Sequence, residues 1–446
     1  MTDSSSARDC GAREVIAGVA SDFIEFTVDG EESTADGPLG WPGYGAALVM
    51  ASERTGRTES VVCGRGTVGG IPTVLVAFDF RFFGGSVGTG AGRRVVAAFE
   101  HAAAAGLPVV SLLATGGTRM QEGVLSLRQL HLITRAAVRL PTAHVAVLRD
   151  PTTGGVWASL GAGADVVLAM PGAQVGFAGR RVRPAEVADD PAYTAAGQFA
   201  AGHLDELVAP GALADRLATW LAALAGDRTG PPAEVPRALG AVAPAPDGWA
   251  AVRRARAATR PRATAYLDDY FDTRLTIRGD RAGGIDPGLE CGIGRRAGRW
   301  IAYAAQHGTR TAPAGFRTAS RLVRLADRRG LPVLTLVDTP GAAADPAAER
   351  AGAGPAIAEL FATIAAATTP VTTLVIGEGG SGGALALCSP DRLWIAPDAY
   401  FSVIDPELAA AILKRDPAEI PALADQLRLR PTDLLARSAV HGIAEP

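Results

Sequence analysis

The chain has 446 residues, 48% of them hydrophobic, and a net charge of −3, which allows two or three domains with sizeable cores. At a pI near 6.1 it carries no basic field that would draw nucleic acid or an anionic membrane, and neither is expected as a partner. Its four cysteines, Cys10, Cys63, Cys291 and Cys388, form no CxxC pair, which argues against a zinc ribbon and a disulfide framework alike.

The opening "MTDSSSARDCGARE" lacks the charged-then-apolar pattern of an export signal, and no apolar run reaches about 18 residues without Gly, Pro or charge. A cytoplasmic protein is expected. Residues 1–45 are polar with weak periodicity, and no fold is assigned to them. From residue 46 to 225, short apolar runs alternate with helical stretches. "TVLVAFDF" (73–80), "PVVSLLA" (108–114), "AHVAVLRD" (143–150) and "ADVVLAM" (164–170) read as strands, with helices in "GRRVVAAFEHAAAAG" (92–106) and "QEGVLSLRQLHLITRAAVRL" (121–140). Residues 226–290, rich in Pro, Ala and Arg, read as a linker followed by a helix. The alternation resumes over 291–446 with "PVLTLVD" (332–338), "VTTLVIGE" (371–378) and "DRLWIA" (391–396). Near-continuous apolar strands between helices predict an α/β fold with mainly parallel sheets and flanking helices.

The two stretches repeat one another. "GLPVVSLLATGG" (106–117) returns as "GLPVLTLVDTPG" (330–341), and "GADVVLAMPGAQVGFAG" (163–179) is echoed by "SPDRLWIAPDAYFSVI" (389–404). Both pairs lie about 225 residues apart, a spacing too long for a solenoid and suited to two domains of one fold.

Candidate chemistry lies in glycine. The six histidines are scattered, none at metal-ligand spacing, and no metal site is expected. Lys414 is the only lysine, which argues against a lysine-linked cofactor or a phosphate-cradling lysine. Glycine pairs follow strands and precede helices in "FFGGSVG" (82–88), "ATGGTRMQEG" (114–123), "DPTTGGVWASLGAG" (150–163) and "GEGGSGGALAL" (377–387). Such pairs let backbone approach a ligand and aim N–H groups at an anion, whether a phosphate or an oxyanion formed during reaction. Arg119 stands beside Gly116–Gly117 and Arg317 lies early in the second half, and each offers a fork suited to a carboxylate. Two such pockets suit transfer of CO2 or carboxylate to or from a stabilised carbanion.

These motifs carry a family resemblance. "FFGGSVGTGAGRRVVAAFEHA", "ATGGTRMQEGVLSLRQL", "DPTTGGVWASL" and "PGAQVGFAGRRV" resemble the β subunit of bacterial acetyl-CoA carboxylase carboxyltransferase. "AGFRTASRLVRLADRRGLPVLTLVDTPGA", "VIGEGGSGGALAL" and "YFSVIDPELAAAIL" resemble its α subunit. The resemblance implies a β–α fusion with a crotonase (ClpP-like) fold in each half. It implies transfer of a carboxyl group from biotin, borne on a separate carrier protein, to an acyl-CoA such as acetyl-CoA, with biotin carboxylase and biotin carboxyl carrier protein acting in trans. It further implies a homodimer or higher homo-oligomer.

By the same resemblance Gly116 and Gly117 would hold the thioester enolate, while Gly382, Gly383 and Ala384 would hold the biotin ureido oxygen. Arg119 and Arg317 would hold the carboxylate in transit. Gly84, Gly85, Thr118, Gly154, Gly155, Phe177, Ala178, Gly179 and Arg181 would line the acyl-CoA side. Gly379, Gly380, Ser381 and Asp405 would line the biotin side.

The chain also departs from the family pattern. The four-cysteine zinc ribbon that usually opens the β subunit is missing, so no metal is expected. "DTPGAAADPAAERAGA" (338–353) lacks the usual Tyr-Pro, "SVIDPEL" (402–408) places Asp405 and Leu408 where small or hydroxylated residues usually sit, and Arg180 is added in "GFAGRRV". Two other readings therefore stand beside carboxyl transfer: a malonyl-thioester decarboxylase, and a non-catalytic assembly subunit.

Overall fold

The computed structural model describes residues 10–27, 36–226, 230–240 and 243–446. The chain divides into two compact units, Met1–Ala225 and Gly226–Pro446, built on one plan.

In the first unit, strands β1 (Ser21–Glu25), β2 (Val61–Val68), β3 (Ile71–Phe78), β4 (Val109–Thr115), β5 (His144–Thr153), β6 (Val166–Ala169) and β8 (Glu206–Leu207) lie side by side in that order, and β7 (Val175–Gly176) adds to β5. The β1–β2 and β2–β3 pairs are antiparallel, and every later pair is parallel. The second unit repeats this plan with β9 (Thr273–Thr276), β10 (Leu289–Arg296), β11 (Arg299–Gln306), β12 (Val333–Thr339), β13 (Val371–Gly380), β14 (Leu393–Ile395), β15 (Tyr400–Ser402) and β16 (Gly442–Ile443). Again two antiparallel pairs precede the parallel ones, and β15 adds to β13 as β7 adds to β5.

The repeat extends to fine detail. The hairpins β2–β3 and β10–β11 both close through two residues of positive φ, Gly69–Gly70 and Ala297–Gly298, the turn whose twist matches the paired strands. Both central pairs, β4–β5 and β12–β13, shift register just before the glycine turns, between Leu113 and Thr115 and between Val337 and Thr339. Such irregularities commonly re-aim backbone beside functional sites. The strands β4, β5, β12 and β13 are buried along nearly their whole length, as expected of parallel strands covered on both faces.

Two sequence expectations need correction. The 1–45 segment, assigned no fold, contributes the helix Ala12–Ala17 and edge strand β1. It is tied down where Ala12 N–H donates to Asp79 (3.2 Å) and Arg149 donates to the Cys10 carbonyl (3.3 Å). The 226–290 segment, expected as a linker followed by a helix, has that helix at Gly248–Arg256, but the whole segment is part of the second unit. Its helix Ala263–Tyr270 buries Tyr266, Leu267 and Tyr270 in the core, and β9 extends the sheet. Its composition resembles a linker, but its arginines pair with carboxylates far along the chain.

Core histidine His144 begins β5 beside Ser111 (Nε2 to Oγ, 2.9 Å) and edge-on to Phe99. Burial pushes its pKa down from 6.5 to about 4. A His that protonates more easily unfolded than folded takes stability away as pH falls from 6.5 toward 4, by about 3 kcal/mol at the lower end. In urea titrations at pH 7 and pH 4.5, His144→Gln is expected to lose less stability than the parent. Parallel losses would show that His144 is not the titrating group.

Candidate functional site

Each unit gathers its glycine turns at the C-terminal ends of its parallel strands, where ligands bind in open α/β sheets. In the first unit β4 ends at Thr115 and the chain turns through Gly116 and Gly117. Gly117 has φ +113, a conformation side chains rarely adopt, and a Cβ on Gly154 (φ +72) would stand 3.1 Å from its Cα. A Cβ on Gly85 would lie 2.0 Å from the Ala114 carbonyl oxygen. The loops after β3, β4 and β5 therefore meet as bare backbone, and Gly84, Gly85, Gly116, Gly117 and Gly154 come together.

The amides at this junction are unequally available. Gly116 N–H donates to the Gly84 carbonyl (2.8 Å), so its expected role as an oxyanion donor is corrected: that donor is spent joining two loops. Gly117 N–H donates to the Thr115 hydroxyl of its own turn (3.0 Å). Among the described residues no acceptor meets Thr118 N–H or Gly155 N–H. Gly155 also opens onto a π-helical turn, Trp157–Gly161, a distortion frequent at functional sites.

Arg119 is a second correction. Its side chain is 1% exposed and ion-paired to Glu59 and Glu122. It also donates to Tyr44 Oη (3.1 Å) and the Ser86 carbonyl (2.9 Å). Burial alone would favour the neutral guanidine, but the Glu59 carboxylate outweighs it and holds the cation more firmly than usual. Glu122 in turn accepts from Thr89 N–H (2.6 Å) and Tyr44 Oη (2.7 Å), and although burial opposes ionisation these bonds keep its pKa below the usual range. Arg119 thus braces the loop from beneath and has no face left for a travelling carboxylate.

The β7 loop carries Phe177, Ala178 and Gly179. Phe177 is 72% exposed, and its carbonyl accepts from Gly154 N–H (3.0 Å). Arg183, which the sequence reading passed over, holds this loop by donating to the Ala178 carbonyl (2.9 Å) while stacking on Tyr193. Arg180 pairs with Asp189 (3.0 Å). Arg181 is exposed and has no ion pair among the described residues.

The second unit repeats the turn. Gly341 (φ +135) donates its N–H to Thr339 Oγ1 (3.1 Å), as Gly117 does to Thr115. A Cβ on Gly380 would lie 2.3 Å from the Pro340 carbonyl, and one on Gly383 would lie 2.2 Å from Ala342 N. A Cβ on Gly382 would meet nothing within 4 Å. The helix Ser381–Leu385 starts here with no side chain capping it, so its first N–H groups lack intrahelical partners. Gly379, Gly380, Ser381, Gly382, Gly383 and Ala384 are thereby brought to one mouth.

Ser381 has φ +54 and is exposed. Gly379–Gly383 spells Gly-x-Ser-x-Gly, a strand–turn–helix elbow that presents a hydroxyl, a motif that the sequence reading wrongly counted as absent. No base bonds to Ser381 among the described residues.

Arg317 is the third correction. It donates to Asp280 (2.8 Å) and to the Ala351 carbonyl (3.0 Å), so its fork is filled by the protein's own carboxylate. Asp405 is half-buried beside Arg256 (3.6 Å), which also pairs with Glu378 (2.8 Å) and Glu407. Burial is the main cause of its raised pKa; Arg256 and Arg310 oppose the rise, while Glu378 and Glu407 add to it. Beneath the strands, Arg260 and Arg262 clamp the fully buried Asp338, whose carboxylate also accepts from Glu378 N–H (3.1 Å).

Among the described residues no three His, Cys, Asp or Glu side chains gather as a metal site, and no helix is long and apolar enough to cross a membrane.

Comparison with known proteins bears on the family and the fold. Residues 44–201 match the carboxyl transferase domain family, and residues 245–446 match the family described as acetyl co-enzyme A carboxylase carboxyltransferase-like. The chain is 42% identical to the acetyl-coenzyme A carboxylase carboxyl transferase subunits beta/alpha of Salinispora arenicola (strain CNS-205), over 90% of this chain and 75% of the relative. It is 34% identical to the protein of the same name from Clostridium tetani (strain Massachusetts / E88), over 91% of this chain and 74% of that one. Among solved structures, a transcarboxylase 12S hexamer with hydrolysed methylmalonyl-coenzyme A bound superposes with a TM-score of 0.80 at 23% identity. That likeness, covering 98% of this chain and 87% of the other, is one of fold.

Proposed function

The chain belongs to the acetyl-CoA carboxylase carboxyltransferase family, and from that membership we propose that it carboxylates the α-carbon of an acyl-CoA, acetyl-CoA first among the candidates. The observation that carries the proposal is the duplicated backbone pocket: a register shift, a Thr-x-Gly turn and a facing glycine helix mouth, built once in each unit.

In the first unit the amides of Gly155 and Thr118, which meet no acceptor among the described residues, hold the thioester oxygen as charge builds on it. Phe177, Ala178 and Gly179 border the acyl-CoA, and Arg181 offers a charge to its phosphates. In the second unit the uncapped amides of Gly382 and Gly383 fit a carbonyl oxygen such as that of the ureido ring of biotin. Biotin, borne on a separate carrier, supplies the nitrogen that carries the carboxyl group. Preorganised N–H donors of this kind stabilise oxyanions without a side-chain base, which accords with the scattered histidines and single lysine. The chain works as a homo-oligomer, with the carrier and its carboxylase in trans.

The test is reconstitution with biotin carboxylase, biotinylated carrier, ATP, labelled bicarbonate and acetyl-CoA. Label is expected in malonyl-CoA. Label that stays on the carrier with acetyl-CoA and with propionyl-CoA alike would refute the proposal.

A further inference from the structure

The two arginines that the sequence offered for the carboxylate in transit are both occupied, by Glu59 and Glu122 in one unit and by Asp280 in the other. Anion transfer still calls for a cation beside the second pocket.

One arginine answers that need. Arg310 is exposed and makes no ion pair among the described residues. Its Nη1 donates to the Ala342 carbonyl (3.3 Å), which lays the side chain along the glycine turn. The same nitrogen lies 3.5 Å from where a Gly341 Cβ would be, as does the Gly380 carbonyl oxygen, so guanidinium and helix mouth flank one point above Gly341. Ala342, whose carbonyl it touches, is the residue a Gly383 Cβ would strike at 2.2 Å. One weak bond to a carbonyl leaves most of the five donors of the fork unused, whereas Arg317, seven residues on, has its fork filled.

We infer that Arg310 is the guanidinium that grips the carboxylate at the second pocket, a role that rests on the carboxyl-transfer reading. In the transfer the carboxyl carbon breaks one bond, to the carrier nitrogen, and forms one, to the acyl α-carbon. The α-proton passes to that nitrogen, and nothing is oxidised or reduced. Arg310 holds the carboxylate oxygens while the amides of Gly382 and Gly383 hold the ring oxygen. A planar fork suits that task better than a point charge.

Two readouts test it on the full chain. The first is biotin-dependent breakdown of malonyl-CoA, the reverse reaction with free biotin as acceptor. Arg310→Ala is expected to lower kcat about 100-fold, with the KM for malonyl-CoA within about threefold of the parent, and Arg310→Lys to recover part of the loss. The second is peptide mass spectrometry after phenylglyoxal treatment: malonate, as a carboxylate probe, is expected to slow labelling of Arg310 and leave labelling of an exposed arginine such as Arg437 unchanged. Parent-like kcat in Arg310→Ala, no protection by malonate, or a kcat loss matched by a lower melting temperature would each overturn the inference. A parent chain that never turns over malonyl-CoA would instead bring down the carboxyl-transfer reading itself.

Discussion

Arg119→Met is expected to destabilise the first unit by about 3–5 kcal/mol, the cost of leaving buried carboxylates without their cation. Glu59 and Glu122 have side chains 9% and 4% exposed and both pair with this guanidinium. Glu122 keeps its bonds from Thr89 N–H and Tyr44 Oη, and Glu59 keeps one from Ser60 N–H (2.7 Å), so Glu59 is left the poorer. Denaturant titration at pH 8 measures the loss, and the double variant Arg119→Met with Glu59→Gln should recover part of it. A variant as stable as the parent but inactive would instead restore Arg119 to the ligand-binding role that its place beside Gly116–Gly117 first suggested.

The second large effect falls on activity with the fold intact. Gly382→Ala adds a methyl group where a Cβ meets nothing within 4 Å, in the first turn of a helix and without positive φ. The fold should tolerate it. The methyl stands at the helix mouth proposed for the ureido oxygen, so transfer is expected to fall about 10²–10³-fold, the scale of losing one oxyanion donor. Gly383→Ala provides the contrast, since its Cβ would lie 2.2 Å from Ala342 N and the turn itself must move. Steady-state rates and melting temperatures separate the two: Gly382→Ala loses rate alone, and Gly383→Ala loses both. Parent-like transfer by Gly382→Ala would remove the pocket from this place.

The sequence made the pockets visible because the duplication preserves local strings. Thr115–Gly117 and Thr339–Gly341 are short, follow buried apolar strands and fold into the same turn. What it hid was assembled at long range. Arg119 reads as a free cation because its partners Glu59 and Tyr44 lie 60 and 75 residues away. Arg260 reads as part of a linker because Asp338 lies 78 residues on. Arg310 was passed over because it adjoins no glycine pair in the chain, and only the fold lays it along Gly341. Gly116 illustrates a subtler limit, since a glycine's position in a motif does not reveal whether its amide is already spent on a neighbouring loop.

The central claim is that carboxyl transfer needs both backbone pockets, with biotin at the second. The most direct measurement incubates the full chain with malonyl-CoA in the presence and absence of free biotin and follows CO2 and acetyl-CoA. Biotin-dependent release is the predicted result. Release at the same rate without biotin would contradict the account and leave a decarboxylase working from the first pocket alone.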